Sequence, residues 1–353
     1  MGNSIHKKTT IYDIAEACGT SPATVSRVLS GSSYPVKQEV RERILETAKR
    51  LNYIPNLAGK QLKSVQNNDI GVVIPNMSNY YSTLIHGIQD VTLKHNSQMI
   101  LCNSYRDAKI EAQHVHLLLQ KQVKGILIAS IDESGGVLQQ IIDSGTAVVA
   151  MEQDVRVDCN RTRFNFAEGA EMAMAHLLEL GHSRIGFVTS PLSRASRRNL
   201  LAGYRQSLSA QGLTIDERYI YTEPEEDDSD ELYDFTVGQK AVDHFLAMEQ
   251  PPTALFCIND MMAVGVTKRL KSLGKNVPDD MSVVGFDNIP LTQMVTPAMT
   301  TIDQSTYELG NLSADLLFKT MSDAQPSSSP NVTLHLEPRL VVRESTARPS
   351  QRT

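Results

Sequence analysis

The 353-residue chain lacks the features that mark several classes of protein. It has no run of the roughly 18 to 20 apolar residues that a membrane span needs. Its first ten residues are polar and lack the apolar core of a secretory signal, so we expect a cytoplasmic protein without a membrane partner. The four cysteines are far apart without C-x-x-C spacing, which disfavours a zinc site or a disulfide framework.

Catalytic motifs are also missing. The chain has no G-x-x-x-x-G-K-[ST] loop, no G-x-G-x-x-G after a strand, no H-E-x-x-H and no G-x-S-x-G. His114 and His116 are two residues apart, so they point to different faces of a helix and make a poor metal pair. We therefore expect a protein that is not an enzyme, with no catalytic residues, no cofactor and no bound metal.

Charge is distributed unevenly along the chain. Residues 1–63 contain ten Lys or Arg and five acids, a balance of +5, whereas the whole chain carries −6 and the remainder therefore −11. Such asymmetry is typical of a nucleic-acid-binding segment joined to a body that avoids DNA. Phosphate contacts from such a segment would make binding strongly salt dependent.

Residues 10 to 31 predict two short helices joined by a tight turn. Thr10 with Asp13 forms a capping pattern, and the first helix should end at about residue 18. Gly19 permits the turn, while Ser21 as N-cap and Pro22 at the first helical position begin the second helix. An ordinary helical hairpin is the alternative to a DNA-binding pair.

A third predicted helix, from about residue 37 to 51, would complete a three-helix core and favours the DNA-binding alternative. In the second helix, Val25, Val28 and Leu29 would pack inward, which leaves a small polar face beside a positive charge. The candidate DNA-binding residues in these helices are Thr10, Tyr12, Ser21, Ala23, Thr24, Ser26 and Arg27.

Residues 56–66 are predicted to form a hinge helix or linker. The apolar and basic stretch 57–63 is too short to be a stable helix alone, since isolated helices need about 12 to 15 residues. Two copies meeting over a minor groove could support it, with Leu62 as a wedge between base steps and Lys60 near phosphate. Asn56 is a further candidate DNA contact. The alternative is a flexible tether.

From about residue 67, short apolar runs alternate with helical stretches, which predicts parallel sheets covered by helices on both faces. The predicted strands are 70–74, 99–102, 125–129, 147–151, 184–188, 254–258 and 282–286. The predicted helices are 82–95, 108–121, 167–180, 199–211, 237–248, 260–273 and 307–321. These are enough strands for two doubly wound lobes with a ligand cleft at the strand ends.

Several motifs, in this order and spacing, resemble those of the lactose/galactose repressor (LacI/GalR) family of transcription regulators. They are Ala-Thr-Val-Ser-Arg-Val-Leu at 23–29, Leu-Asn-Tyr-Ile-Pro-Asn at 51–56, Gly-His-Ser-Arg-Ile-Gly at 181–186, Asn-Asp-Met-Met-Ala-Val-Gly at 259–265, Met-Ser-Val-Val-Gly-Phe-Asp-Asn at 281–288 and Pro-Ala-Met-Thr-Thr-Ile at 297–302. The resemblance covers nearly the whole chain.

The resemblance implies an all-α helix-turn-helix head at 1–55 and an α/β core at 67–346. The core would have two doubly wound lobes like those of periplasmic binding proteins, followed by a flexible tail at 347–353. The first lobe is expected at about 67–160 with 291–322, and the second at about 161–290 with 323–346.

The resemblance also implies an effector site between the lobes. Asp287 would hold ligand hydroxyls or ring nitrogens, while Asn259 would contact the ligand and Asp260 would cap a helix. Tyr80 and Tyr81 could stack on a sugar ring or a base, or could instead pack the lobe. The candidate effector-binding residues are Tyr80, Tyr81, Glu152, Phe164, Arg194, Arg197, Asn259, Asp287 and Gln304.

Leu200 occupies the position at which the family carries a ligand-binding arginine. Arg194 and Arg197 lie nearby in the chain, and guanidinium groups suit a carboxylate or a phosphate, which suggests an effector with an anionic group. The alternative is that these arginines belong to a solvated helix start.

The predicted function is a repressor of carbohydrate-related genes. A homodimer would bind a near-palindromic double-stranded operator, under allosteric control by a small-molecule effector that is a sugar or a sugar derivative. The direction of that control is left open. The alternative is a sugar-binding protein with no regulatory role, which would lack the basic head and would carry an export signal.

Overall fold

The computed structural model describes residues 9–30, 32, 34–53, 68–151, 157–225, 232–323 and 330–350. The chain forms two compact units, Met1–Asn67 and Asn68–Thr353. We call them the head and the body and describe each by itself.

The head contains the three predicted helices, α1 (Ile11–Ala17), α2 (Pro22–Leu29) and α3 (Gln38–Arg50). Thr10 and Asp13 form a capping box at the start of α1, in which the Thr10 backbone N–H donates to Asp13 Oδ2 at 2.7 Å. Ser21 Oγ accepts the Thr24 backbone N–H at 3.1 Å and so caps α2. Gly19 joins the helices with φ +59°, a conformation that other residues rarely adopt.

The head has its own apolar core, centred on the fully buried side chains of Ile14, Val25 and Ile44. Each of the three helices supplies one of these residues at a predicted inward position. The expected helix-turn-helix head is therefore confirmed.

The described residues of the body form two six-stranded sheets. The strands are β1 (Ile70–Ile74), β2 (Met99–Asn103), β3 (Gly125–Ile128), β4 (Ala147–Met151), β5 (Asn160–Phe164), β6 (Ile185–Thr189), β7 (Ile220–Thr222), β8 (Ala254–Cys257), β9 (Ser282–Asp287), β10 (Thr300–Asp303), β11 (Thr333–Leu336) and β12 (Arg339–Val341). The first sheet has the order β11-β5-β4-β3-β1-β2 and the second β12-β10-β9-β8-β6-β7. All neighbouring strands are parallel except β10 and β12.

Helices cover both sheets, as the alternating pattern predicts. They are α4 (Asn79–Lys94), α5 (Ala108–Gln120), α6 (Gly136–Asp143), α7 (Phe166–Glu179), α8 (Ala195–Ala210), α9 (Tyr233–Leu246), α10 (Asp260–Ser272) and α11 (Thr306–Ser322), with short 3-10 turns at Glu217–Tyr219 and Pro290–Gln293. Helices pack in pairs, α4 with α11, α7 with α8 and α9 with α10. The α9–α10 pair approaches so closely that a Cβ on Gly265 would lie 2.0 Å from the Phe235 carbonyl oxygen.

All seven predicted strands are present. Six of them lie inside the sheets with mostly buried apolar runs, whereas β2 is an edge strand that is only partly buried. Five further strands, β5, β7, β10, β11 and β12, were not predicted. They are short, and β5, with the sequence Asn-Arg-Thr-Arg-Phe, has no apolar run. Most of them lie at or near sheet edges, where burial imposes a weaker pattern.

The two sheets define two lobes, and the chain crosses between them three times. β5 belongs to the first sheet, so the first crossing follows residue 164 and the predicted boundary at 160 is too early. β10 belongs to the second sheet and α11 packs on the first, so the return falls after residue 303 rather than at 290. The last crossing follows β11, after residue 336 rather than 322. The missed polar strands explain all three corrections.

None of the helices in the described part of the chain combines the length and the apolar character that a bilayer span requires. The four cysteines are free thiols, of which Cys18, Cys159 and Cys257 are buried.

Candidate effector cleft and nucleic-acid interface

The predicted DNA-contacting residues of the head form an exposed polar surface around α2. Thr10, Tyr12, Ser21, Ala23, Ser26 and Arg27 are exposed, and Thr24 is half-buried. Thr10 and Ser21 also cap their helices, so each has a structural role as well. Asn56, Lys60 and Leu62, with the predicted hinge helix, lie outside the described residues.

Arg27 is positioned by an aromatic residue that the sequence analysis missed. Its guanidinium carbon lies 4.2 Å from the centroid of the Tyr34 ring, and this ring is 52% exposed. A cation over an aromatic face is attracted by the ring quadrupole. The contact therefore restrains the Arg27 side chain in the last turn of α2. The sequence shows only that a tyrosine follows the second helix, with no pattern that links it to Arg27.

In the body, Asp287 lies at the carboxyl end of β9, and Gln304 follows the neighbouring strand β10. Gln304 Nε2 donates to Asp287 Oδ1 at 2.5 Å, and Gln304 is only 2% exposed. Asp287, Asn288 and Ser305 have positive φ angles of 115°, 58° and 50°. Strained backbone of this kind persists where the surrounding structure holds it, and it is concentrated at ligand sites and switch regions.

A polar cleft of about 310 Å³ opens beside Asp287. It is lined from the first lobe by Tyr80, Thr83 and residues 305–308, from the second lobe by residues 287–290, and by Asp303 at the crossing between them. The cleft thus unites Tyr80 and Asp287 of the predicted set, and Gln304 orients Asp287 from behind. Thr306, Tyr307 and Glu308 were not predicted, because they begin α11 after a crossing that the sequence did not locate.

Tyr81 lies close to charged groups from both lobes. Burial raises the pKa of its hydroxyl to about 12, the guanidinium groups of Arg194 and Arg106 oppose this rise, and the Asp287 carboxylate adds to it. The first lobe supplies Arg106 and the second supplies Arg194 and Asp287. Arg106, in a turn with φ +56° after β2, has no sequence motif that could have identified it.

A buried carboxylate anchors the loop that carries Asp287. Asp260 is fully buried and accepts the Thr301 hydroxyl at 2.6 Å and the Ile289 backbone N–H at 2.9 Å. Burial raises its pKa to about 7, although these two hydrogen bonds and the Arg343 guanidinium favour the charged form. From the other side, Arg343 Nη2 donates to Asn288 Oδ1 at 2.7 Å. The loop at 287–289 is therefore fixed by two separate elements.

The predicted roles of Asn259 and Asp260 need one correction. Asn259 Oδ1, not Asp260, caps α10 by accepting the Met262 backbone N–H at 2.9 Å. Asp260 is structural, as predicted, but it holds the 287–289 loop instead of the helix end. The amide nitrogen of Asn259 is the part of its side chain that the cap does not use.

The other predicted effector residues are placed as follows. Phe164 is 6% exposed and packs against Phe166 and Phe286, with ring centroids 5.2 and 5.9 Å away. Arg197 is buried and its Nη1 donates to the Pro191 carbonyl at 2.8 Å. Leu200, at the position of the family arginine, is buried in the core. None of these three lines the polar cleft, and Glu152 lies outside the described residues.

The arginine-rich start of α8 also makes an ion pair between the lobes. Arg198 Nη2 lies 2.9 Å from Glu133 Oε1 of the first lobe, and its Nη1 donates to the Ser193 carbonyl at 2.6 Å. Among the described residues, no group of three or more His, Cys, Asp or Glu is arranged to hold a metal ion.

A helix-turn-helix head joined to a two-lobed body with a polar cleft defines a ligand-responsive DNA-binding regulator. Residues 10–56 match the family described as bacterial regulatory proteins, lacI family, and residues 174–346 match the periplasmic binding protein-like domain. Catabolite control protein A of Priestia megaterium is 33% identical over 340 residues, which cover 96% of this chain and 99% of that protein. The chain belongs to the LacI family of transcription regulators, whose members are not enzymes.

Further relatives agree with this assignment. The HTH-type transcriptional repressor PurR of Mannheimia succiniciproducens is 30% identical over 344 residues, covering 95% of this chain and 98% of that one. The solved structure of the Lac repressor dimer bound to operator and the anti-inducer ONPF has a TM-score of 0.78 and 26% identity, and covers 97% of this chain and 100% of that one. A LacI family regulator from Enterococcus faecium with bound ribose has a TM-score of 0.69 and 27% identity. The match covers 79% of this chain and 99% of that one.

Proposed function

We propose that this regulator represses carbohydrate-related genes by binding a near-palindromic operator as a homodimer, and that a sugar or sugar derivative in the polar cleft controls this binding. The observation that carries the proposal is that residues of both lobes line one cleft beside Asp287. The head of the same chain has Arg27 exposed on α2.

The head supports DNA binding through three properties of its surface. Arg27 carries N–H donors suited to the paired acceptors of guanine in the major groove, and Tyr34 restrains it. Ala23 and Ser26 are small and exposed beside it, so that base edges can approach the helix. The start of α2, which has no acidic residue in its first turn, presents backbone N–H groups of the kind that bind phosphate oxygens.

We propose that Asn56, Lys60 and Leu62 contribute minor-groove and phosphate contacts from the hinge segment when two heads meet on one operator. A two-fold dimer would place the two recognition helices in successive major grooves, which is why we expect a near-palindromic site.

The body supports effector control. A cleft of about 310 Å³ is at the lower end of the usual range for small-molecule sites and is large enough for a monosaccharide. Because both lobes line it, a bound ligand stabilises one relative position of the lobes over others. A ligand can alter DNA binding only if its affinity differs between the lobe positions that do and do not bind DNA. Typical coupling free energies of about 1 to 3 kcal/mol change operator affinity by roughly 5- to 150-fold.

Some of the relatives support the carbohydrate class. They include a ribose operon repressor of Haemophilus influenzae with 29% identity and the solved regulator that holds ribose. We propose that Asp287, oriented by Gln304, accepts hydrogen bonds from the ligand and that Tyr80 contacts it from the first lobe. We propose Tyr81, Arg194, Asn259 and Glu152 as further contacts, whereas Phe164 and Arg197 are buried away from the cleft and are assigned a packing role.

The test is a selection of genomic fragments by the full-length protein, followed by fluorescence anisotropy on the selected duplex with and without a panel of sugars. We expect a clear preference over random duplex that at least one sugar changes. Asp287→Ala should retain the DNA affinity and lose the response to sugar. Asp279→Ala, which removes an exposed carboxylate before the same strand, is the matched control and should behave like the unmodified protein. Equal binding to selected and random duplex would refute the proposal.

A further inference from the structure

Two hydroxyls in the wall of the polar cleft have no hydrogen-bond partner. They belong to Tyr80 of α4 and Thr306 of α11. Thr306 is only 6% exposed, and the hydroxyl oxygen of Tyr80 is buried although the residue as a whole is half-buried. In the part of the chain that the structure describes, no other buried hydroxyl lacks a partner. Because buried polar groups are nearly always paired, two exceptions that line one cleft indicate that a ligand completes them.

The position of Thr306 explains why the protein does not satisfy its hydroxyl. Inside a helix, a threonine hydroxyl can donate to the carbonyl four residues earlier, as that of Thr92 does to the Ile88 carbonyl at 2.7 Å. Thr306 is the first residue of α11, so the residue four positions earlier, Ile302, lies in β10 and outside the helix. The hydroxyl of Thr306 therefore has no such role in its own helix.

The other hydroxyls that α4 and α11 contribute to this wall are satisfied within the protein. Thr83 Oγ1 donates to the Asn79 carbonyl at 3.1 Å, and the Tyr307 hydroxyl donates to Asp90 Oδ2 at 2.6 Å. The wall thus contains both kinds of hydroxyl, and only those of Tyr80 and Thr306 are left for a ligand.

Charged groups at the cleft also have partners within the protein. Asp303 accepts the Ser305 backbone N–H at 2.7 Å. Asp287 and the guanidinium groups of Arg106 and Arg194 each interact with other groups of the chain. The unpaired hydroxyls of the wall are uncharged, in contrast, and their contribution to recognition does not depend on the net charge of the cleft.

Close packing holds the two hydroxyls in place. The Tyr80 ring lies edge-on to the Tyr81 ring, with centroids 5.1 Å apart and an interplanar angle of 89°. The helices that carry Tyr80 and Thr306 are in direct backbone contact, since a Cβ on Gly87 of α4 would lie 2.2 Å from the Tyr307 carbonyl oxygen of α11. The wall is therefore formed before a ligand binds, which reduces the entropy lost on binding.

We propose that Tyr80 and Thr306 are specificity-determining residues of the cleft, and that their hydroxyls bind hydroxyl groups on the side of the effector that faces the first lobe. A hydroxyl both donates and accepts, so it pairs with another hydroxyl in either direction. An effector analogue without that hydroxyl leaves the protein group buried and unpaired, which lowers its affinity. This inference rests on the proposed function only in taking the cleft as the effector site.

The experiment changes the ligand and the protein in one thermodynamic cycle. Titration calorimetry on the full-length protein measures the affinities for ribose, glucose and galactose and for the monodeoxy analogues of each. We expect at least one of these sugars to bind, and the loss of one particular ligand hydroxyl to weaken its binding by about 10-fold. In the double variant Tyr80→Phe, Thr306→Val this difference should shrink to less than about 2-fold, because the partner groups are absent.

Thermal denaturation without ligand separates a binding role from a packing role. Removing an unpaired buried hydroxyl should leave the melting temperature unchanged or raise it, whereas lost packing would lower it. Thr306→Ser keeps the hydroxyl and should keep the discrimination between a sugar and its deoxy analogue. The matched control is Thr267→Val in α10, which removes a buried hydroxyl that donates to the Ala263 carbonyl at 2.9 Å. It should leave the sugar affinities unchanged.

Discrimination that the double variant retains would overturn the inference. An equal loss of affinity for a sugar and all of its deoxy analogues would do so as well, because hydroxyls that only hold water or packing would give that result. The same holds for a melting temperature lowered by both Tyr80→Phe and Thr306→Val, or for no binding of any of the three sugars.

These measurements involve no DNA, so the two proposals can fail separately. A sugar response of operator binding that persists in the double variant, with its discrimination intact, would contradict this inference alone. A protein that discriminates between the sugars as expected but selects no DNA would contradict the proposed function alone.

Discussion

The head and the body position their candidate binding residues in opposite ways. The candidate DNA-binding residues that the structure describes in the head lie within eighteen consecutive positions, 10–27, and are mostly exposed. Their positions depend on helix caps only a few residues away. Those in the body are drawn from positions 80 to 304 and are held by buried contacts such as Asp260 with Thr301. The candidate DNA contacts thus depend on local structure, whereas the candidate ligand contacts depend on the tertiary fold.

The largest expected effect concerns the buried carboxyl that anchors the cleft. An unfolded Asp260 releases its proton near pH 3.8, whereas the folded one, with its pKa raised to about 7 by burial, keeps it longer. Between these values the folded state binds more protons, so the Asp260 contribution to the free energy of unfolding should fall as pH rises from about 4 to about 7, by several kcal/mol. Subtracting the denaturation profile of Asp260→Asn from that of the unmodified protein isolates this contribution. A flat difference would contradict the prediction.

The next effect tests close packing in the body. Gly265→Ala places a Cβ against the Phe235 carbonyl oxygen, and neither backbone can move without separating α9 from α10. We expect the free energy of unfolding of the body to fall by about 3 kcal/mol, measured by urea denaturation. NMR signals from α1 to α3 should be unchanged. Gly136→Ala, where the nearest atom is 3.4 Å away, is the control and should be close to neutral.

A smaller effect is expected at the DNA-contacting surface. Arg27→Ala should weaken binding to the selected duplex by about 1 to 3 kcal/mol, because it removes the base contact that we propose for this guanidinium. Tyr34→Leu should cost less, since it only releases the guanidinium, and neither change should alter ligand binding. Lys49→Ala, at the exposed end of α3, should reduce affinity similarly for all sequences if it acts at all. Anisotropy on selected and random duplexes separates these cases, and an equal loss on both for Arg27→Ala would argue against base recognition.

The smallest effect concerns the ion pair between the lobes. Arg198 and Glu133 are 46% and 60% exposed, and such pairs contribute less than about 1 kcal/mol. Arg198→Glu should increase the radius of gyration in small-angle scattering slightly, and adding Glu133→Arg should reverse the change. Arg205→Glu breaks a pair of similar exposure within one lobe and serves as the control. If both single changes expanded the protein equally, the pair would have no special role between the lobes.

The same contrast explains what could be predicted from the sequence. The head follows from short-range signals: Thr10, Ser21 and Pro22 mark the helix starts, and the spacing of Ile14, Val25 and Ile44 marks the core. In the body, apolar runs such as β1 and β8 are visible because central parallel strands are buried on both faces. Polar strands such as β5 give no such signal, so the lobe boundaries were misplaced.

In the candidate site, Asp287 and Gln304 could be named because they follow recognisable motifs, although their effector role stays a prediction. Thr306 and Arg106 could not be named, because what brings them near the cleft is a chain crossing and a left-handed turn. The Asp260 anchor was identified as structural, but its partners Thr301 and Ile289 lie tens of residues away. Contacts of that range leave no periodic pattern in the chain.

The threefold crossing of the body has a consequence for synthesis on the ribosome. Each sheet takes one border strand from residues 333–341, so neither lobe can be finished until nearly all of the chain has emerged. The core residues that the structure describes in the head all lie at or before position 53, so this core can form early. A nascent chain would therefore expose a finished DNA-contacting module well before its sensor exists.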